Sequence, residues 1–92
     1  MRVERVFERD HPASRGHFEG NPIIPGAVLL SETLHAIAGD TAPLEVASAK
    51  FLHPVRPGDR VLIEYTRSGA EVKFTCTVEG RTVLTGQVTC PA

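Results

Sequence analysis

Polar and apolar residues alternate most cleanly between positions 71 and 78. Val72, Phe74, Cys76 and Val78 fall on one side, and Glu71, Lys73, Thr75 and Thr77 on the other. A period of two marks a strand with one face buried. Residues 60–67, RVLIEYTR, alternate in the same way, with Val61, Ile63 and Tyr65 set against Leu62, Glu64 and Thr66. Residues 81–90 place Leu84, Val88 and Cys90 on one side of a further strand. Ser68-Gly69 and Glu79-Gly80 lie at the two junctions. Tight turns there join the three strands into an antiparallel meander. Upstream, VASAKFLH at 46–53 reads as another strand, closed by the turn sequence PVRPGD.

The period changes in the first half of the chain. Residues 2–8 read as a short strand with Val3 and Phe7 packed inward. From Ala27 to Ala38 there is no Gly or Pro, and Leu30, Leu34 and Ile37 recur at helical spacing. That spacing predicts a helix starting at Pro25-Gly26 and stopping at Gly39. Leu30, Leu34 and Ile37 are its expected buried stripe, with Val28 and Leu29 off it. A helix apolar over so much of its circumference is buried on more than one side. Between the first strand and the helix lies RDHPASRGHFEGNPIIPG at 9–26, which holds three of the seven Pro and three of the eight Gly. It is a loop, yet it carries Phe18, Ile23 and Ile24. Irregular segments of this length in compact domains usually carry function. The elements together describe an α+β domain, one helix against a strongly curved antiparallel sheet.

Length and composition narrow the function classes. The 92 residues suffice for one domain, 1–92. A domain so small is marginal alone and gains burial by association. Net charge is −1, with no basic run, four Phe, one Tyr and no Trp. Neither an electrostatic footprint nor a stacking platform for nucleic acid is present. No apolar stretch has the length of a membrane span. The opening MRVERVFERD is charged and lacks the apolar centre of a secretory signal, so a cytoplasmic location is expected. Cys76 and Cys90 are expected as reduced, buried thiols rather than a disulfide. No Cys or His spacing suits zinc, and no metal or cofactor is expected.

The segment DHPASRGHFEGNPIIPGAVLLSETL resembles the hot-dog dehydratases that act on 3-hydroxyacyl groups carried by acyl carrier protein. The resemblance rests on Gly16-His17-Phe18, Gly20, Pro22, the apolar pair Ile23-Ile24 and Pro25-Gly26, just ahead of the helix. AKFLHPVRPGD at 49–59 is similar to the strand and turn that follow in that family. The resemblance implies a sheet wrapped around one central helix, and a dimer with active sites at the subunit interface. It implies a lyase of lipid metabolism or fatty-acid biosynthesis, forming a trans-2-enoyl thioester on acyl carrier protein or coenzyme A. In such enzymes the His takes the proton alpha to the thioester carbonyl. A helix N–H holds the carbonyl oxygen, and an acid on the partner's helix helps the hydroxyl leave as water.

The residues can be weighed against that chemistry. The imidazole of His17 has both protonation states accessible near neutral pH; otherwise it is a structural histidine of the loop. Gly26 either starts the helix or also lets a carbonyl approach its N–H closely. Phe18, Ile23 and Ile24 suit an acyl-chain wall, which is also core. Fourteen residues after His17, where the resemblance puts the acid, stands Ser31, and the carboxylate is Glu32. One residue is about 100° of helix rotation. Glu32 is the candidate acid and Ser31 a candidate site-lining hydroxyl, with His35 its i+4 neighbour. His11 and His53, each before a proline, are expected to be structural. Arg15, Arg56 and Arg60 are candidates for meeting an acidic carrier or a phosphopantetheine phosphate. Three readings follow: a 3-hydroxyacyl-thioester dehydratase; a hot-dog thioesterase, for which Glu32 or Glu19 would activate water; or a non-catalytic or half-site acyl-binding subunit. The last pairs with a related hot-dog subunit, whereas the first can form a homodimer or a heterodimer.

Overall fold

The structure, a computed structural model, describes residues 1–7, 23–39 and 44–90. Within them five strands and one helix follow the order β1 (Arg2–Val6), α1 (Gly26–Ala38), β2 (Glu45–Phe51), β3 (Arg60–Ser68), β4 (Glu71–Val78) and β5 (Arg81–Thr89). The strands form one antiparallel sheet in the spatial order β1-β3-β4-β5-β2. The meander β3-β4-β5 is its centre, and the two strands from the first half of the chain pair at its edges. Glu79 and Gly80 have φ of 50° and 79°, and Gly69 has 62°. These left-handed residues close the two hairpins, and glycine enters that region without steric cost.

Cross-strand register carries the core across the sheet. Ile63 faces Cys76, and Cys76 faces Leu84; Val72 faces Val88. All five are buried, together with Val61, Phe74 and Val83. The opposite face is polar. There Arg2 approaches Glu64 at 3.6 Å and Arg60 approaches Glu4 at 4.0 Å, linking β1 to β3. Exposed pairs of this kind contribute little individually, about 0.2–1 kcal/mol. At the end of β1, Phe7 is buried and its carbonyl accepts the Gly58 N–H, which ties β1 to the turn before β3.

The helix lies on the apolar face, but not on the stripe that the spacing of leucines suggests. Its two fully buried residues are Leu29 and Thr33. Leu30, Leu34 and Ile37 are only partly buried, on one shoulder of the helix. Leu29, expected off the stripe, is thus at its centre. Thr33 is polar, so a stripe read from apolar spacing leaves it out. It sits one helical turn beyond Leu29 and gives its hydroxyl proton to the Leu29 carbonyl at 2.8 Å. With that donor satisfied, a threonine can occupy the most buried position of the contact. Its Oγ1 also lies 3.4 Å from the Cys76 Sγ on β4. Burial pushes the Cys76 thiol up from its ordinary value, and the Thr33 hydroxyl offsets part of that rise. Both cysteines are free thiols, Cys76 buried and Cys90 half-buried.

Two predictions test this packing. A Cβ on Gly86 of β5 would stand 2.5 Å from the Ser48 carbonyl oxygen and 2.6 Å from the Phe74 ring. Overpacking of a rigid backbone contact costs about 1–3 kcal/mol. Gly86→Ala should therefore lower the melting temperature by about 5–15 °C, read by circular dichroism; an unchanged melting temperature would refute the contact. The raised Cys76 thiol predicts a pH effect of definite sign. Folding favours the neutral thiol, so the unfolded chain gives up its proton first. The stabilisation is complete below the ordinary thiol value of 9.0 and is lost as pH rises toward the higher folded value. Urea titrations between pH 7 and 10.5 should show a loss in the wild type that is absent from Cys76→Ala.

Candidate active site

Two segments meet at the start of the helix. On one side, Ile24 pairs with Val55 in an isolated antiparallel bridge, its N–H bonding the Val55 carbonyl at 2.7 Å. On the other, β2 ends at Phe51, and the chain runs on through Leu52, His53 and Pro54. The Leu52 N–H bonds the Val83 carbonyl at 2.9 Å, which keeps this run against β5. Between the segments lies a cleft of about 370 Å³. Ile23, Ile24 and Leu29 form one wall and Phe51, Leu52 and Pro54 the other, with Gly26 at the base. Ile24 and Leu29 are buried, whereas Phe51 remains 48% exposed.

The helix begins without a side-chain cap. Pro25 stands at the cap position with extended ψ, and its carbonyl accepts the N–H groups of Val28 and Leu29 at 3.0 and 3.1 Å. Among the described residues no acceptor meets the N–H of Gly26 or Ala27. No acidic residue occupies the first turn. Among the described residues nothing compensates these donors, and the helix end directs them, with the positive end of its dipole, to the base of an apolar cleft. The Phe51 ring packs across Gly26: a Cβ there would meet three ring carbons at 3.0–3.3 Å. Glycine at this position is what allows the ring and the helix start to approach so closely.

The sequence candidates distribute around this cleft unevenly. Ile23, Ile24 and Gly26 line it. His17 and Phe18 lie outside the described residues, as do His11, Arg15 and Glu19. Ser31 and His35 are exposed on the helix side turned away from the sheet. Glu32 is half-buried on the shoulder opposite Leu30 and Leu34. The two candidates for the acid position thus point in different directions, as a rotation of about 100° requires. Arg56 and His53 border a second, more polar recess beside the cleft, which also includes Arg81, Asp59 and Glu79. Asp59 is engaged there, accepting the Arg56 backbone N–H at 2.9 Å. Arg60 instead belongs to the outer-face pair with Glu4. Sequence reasoning missed Leu29, Phe51 and Leu52. The signal available was the apolar pair Phe51-Leu52 directly before His53-Pro54, more than an exposed edge strand needs.

Comparison with known proteins places this geometry. The family model for ApeI-like proteins, described as ApeI dehydratase, matches residues 1–87. A 3-hydroxyacyl-[acyl-carrier-protein] dehydratase FabZ of Aliarcobacter butzleri is 34% identical over 88% of this chain and 65% of its own length. The dehydratase of the same name from Sodalis glossinidius is 30% identical over 98% of this chain and 72% of its own. The chain thus spans about two thirds of the length of these relatives. Among solved structures, the dehydratase heterocomplex ApeI:P from Xenorhabdus doucetiae superposes with a TM-score of 0.82 at 18% identity, over 99% of this chain and 86% of that one. The fold is the hot-dog fold, one helix held in a curved antiparallel sheet, and the chain belongs to the ApeI-like dehydratase family.

Proposed function

We propose that this chain is a 3-hydroxyacyl-thioester dehydratase, forming trans-2-enoyl thioesters for fatty-acid or related lipid or polyene synthesis. The observation that carries the reading is the uncapped helix start at the base of an apolar cleft. An acyl chain lies along Ile24, Leu29 and Phe51, and the thioester carbonyl oxygen accepts the Gly26 N–H. Donors fixed in advance stabilise an enolate oxygen strongly, because the site pays no reorganisation when charge develops. His17, eight residues before Pro25 and six before Ile23 of the cleft wall in sequence, takes the alpha proton. The electron pair forms the new C=C bond, the C3–O bond breaks, and the hydroxyl leaves with a proton as water. Glu32 supplies that proton.

Family membership supports the reaction class, and the relatives' printed names support acyl carrier protein as carrier; coenzyme A would present the same thioester and phosphopantetheine arm. Arg56 and Arg81, beside the cleft and without ion pairs among the described residues, suit that arm's phosphate. The heterocomplex among the structural neighbours supports pairing with a second hot-dog subunit, identical or related. No described helix is long and apolar enough to cross a membrane, and a cytoplasmic location is part of the proposal. Ser31 favours a second reading, a half-site subunit that supplies His17 and the Gly26 N–H while its partner supplies the acid.

Hydration of an enoyl thioester, the reverse reaction, tests both. Purified protein should consume the conjugated enoyl absorbance without releasing free thiol, and His17→Ala should lose at least about a hundredfold in kcat, the usual scale for a removed acid–base group. Activity only after addition of a second subunit would select the half-site reading. Glu32→Gln separates them further: it should lower kcat in the dehydratase reading and leave it unchanged in the other. A second prediction concerns the mouth of the cleft. Gly26→Ala should fold normally, since its φ is not in the left-handed region, but should push the Phe51 ring outward and raise KM several-fold. An unchanged KM in Gly26→Ala would remove Gly26 from the site.

A further inference from the structure

The apolar cleft and the polar recess beside it share one ridge. The recess, of about 430 Å³, lies between the β2–β3 turn and the β4–β5 hairpin. Among the described residues only His53 and Pro54 line both spaces. A bulge in β5 fixes this ridge. Cys76 faces Leu84, but the next residue of β4, Thr77, faces Thr82, so Val83 is an extra residue. Val83 and Leu84 are consecutive and both buried, which a regular strand with one wet face does not allow. The Val83 carbonyl accepts two N–H groups, from Leu52 at 2.9 Å and from His53 at 3.5 Å. The main chain of His53 is thereby anchored, while the residue itself is exposed. Among the described residues its imidazole has no hydrogen-bond partner, so the ring is not spent on the structural role that its place before a proline suggests.

The recess is mixed in charge. Arg56 and Arg81 line it and form no ion pair among the described residues. Asp59 and Glu79 line it as well, and Asp59 accepts the Arg56 backbone N–H at 2.9 Å. A bare anion is attracted by the two guanidinium groups and repelled by the two carboxylates. A ligand that brings hydroxyl and amide groups along with its phosphate satisfies both signs. Across the ridge, the apolar cleft asks for an alkyl chain. An acyl thioester on a phosphopantetheine arm has both ends, with two amides and a hydroxyl between its sulfur and its phosphate.

We infer that His53 binds this arm: its imidazole hydrogen-bonds the amide farther from the sulfur as the arm crosses the His53-Pro54 ridge, with the phosphate between Arg56 and Arg81. A neutral imidazole carries one donor and one acceptor, so it can meet either group of an amide. The amide nearer the sulfur stays on the cleft side of the ridge. Pro54 has no N–H and gives the arm's methylene groups a rigid apolar step. His53 is a binding residue here and moves no proton. The inference rests on the dehydratase reading for the identity of the ligand, and adds to it the residue that reads the arm. Acyl carrier protein and coenzyme A present the same arm, so both are sources of this chemistry.

A ladder of truncated substrates tests it. Enoyl thioesters of N-acetylcysteamine, pantetheine and phosphopantetheine end before the second amide, before the phosphate and after it, and hydration of each gives a kcat/KM. In His53→Ala the ratio of the pantetheine value to the N-acetylcysteamine value should fall about three- to tenfold, the scale of one hydrogen bond. General damage to the fold cancels in that ratio. His53→Gln, which keeps a donor and an acceptor, should restore most of it. Arg56→Ala and Arg81→Ala should instead lower the ratio of phosphopantetheine to pantetheine, about three- to fivefold each. An unchanged first ratio in His53→Ala overturns the inference, and so does a His53→Gln variant as poor as His53→Ala. Coenzyme A and carrier-protein thioesters, each set against N-acetylcysteamine in the same variant, tell which carrier brings the arm; a fall with neither overturns the inference. If no thioester is hydrated, the dehydratase reading fails by itself. Calorimetric titration with a non-reactive acyl-phosphopantetheine then still reads the ridge: weaker binding by His53→Ala upholds the inference, and equal binding overturns it.

Discussion

Leu29 and Thr33 hold the helix against the sheet, and the position of everything functional follows from that contact. With these two side chains turned into the Ile63–Cys76–Leu84 row, the rotation of the helix is fixed. Gly26, about one turn before Leu29, must then also lie near the sheet, where β2 ends. Ser31 must turn to solvent and Glu32 must sit on a shoulder. The buried threonine is what makes the contact specific. A leucine would fill the space without bonding, whereas Thr33 closes a hydrogen bond on its own helix and brings its oxygen to the Cys76 sulfur. Polar groups so placed select one arrangement among several of similar hydrophobic burial.

The apolar cleft is a product of the same geometry. A helix that starts at a proline leaves donors without acceptors, and among the described residues no side chain caps them. In a solvated helix, water would satisfy them. At the base of a cleft walled by Ile24 and Phe51, a ligand oxygen is the natural acceptor. The bridge from Ile24 to Val55 fixes the two walls relative to each other, so the donors are aimed before any ligand arrives. We propose that this preorganisation, rather than any unusually reactive side chain, is the larger part of what the scaffold contributes to catalysis.

Much of this was legible in the sequence, and unequally so. The meander was readable because β3, β4 and β5 each have one wet and one dry face, so burial imposes a strict period. The α+β class and the helix limits followed from Pro25, Gly26 and Gly39. The helix rotation was not readable. Leu30, Leu34 and Ile37 form the more obvious apolar stripe, yet they are half-exposed in the single chain, while a threonine lies deepest. Hydrophobicity counts cannot reveal a threonine that satisfies itself. The pairing of β2 was hidden as well, because a strand at an edge keeps no burial pattern of its own. Of the candidate site residues, Ile23, Ile24 and Gly26 stand together at one cleft, and Ser31 and Glu32 stand apart on the helix; His17 and Phe18 rest on motif and resemblance.

In the proposed reaction the start of the helix receives the thioester carbonyl. The most direct measurement is a titration of nitrogen-15-labelled protein with a non-reactive acyl-pantetheine analogue, following the backbone amides. The Gly26 amide proton should move downfield and saturate together with signals from Leu29 and Phe51. Saturable binding that leaves Gly26 unmoved, with shifts confined to another surface, would rule out the helix start as the carbonyl site.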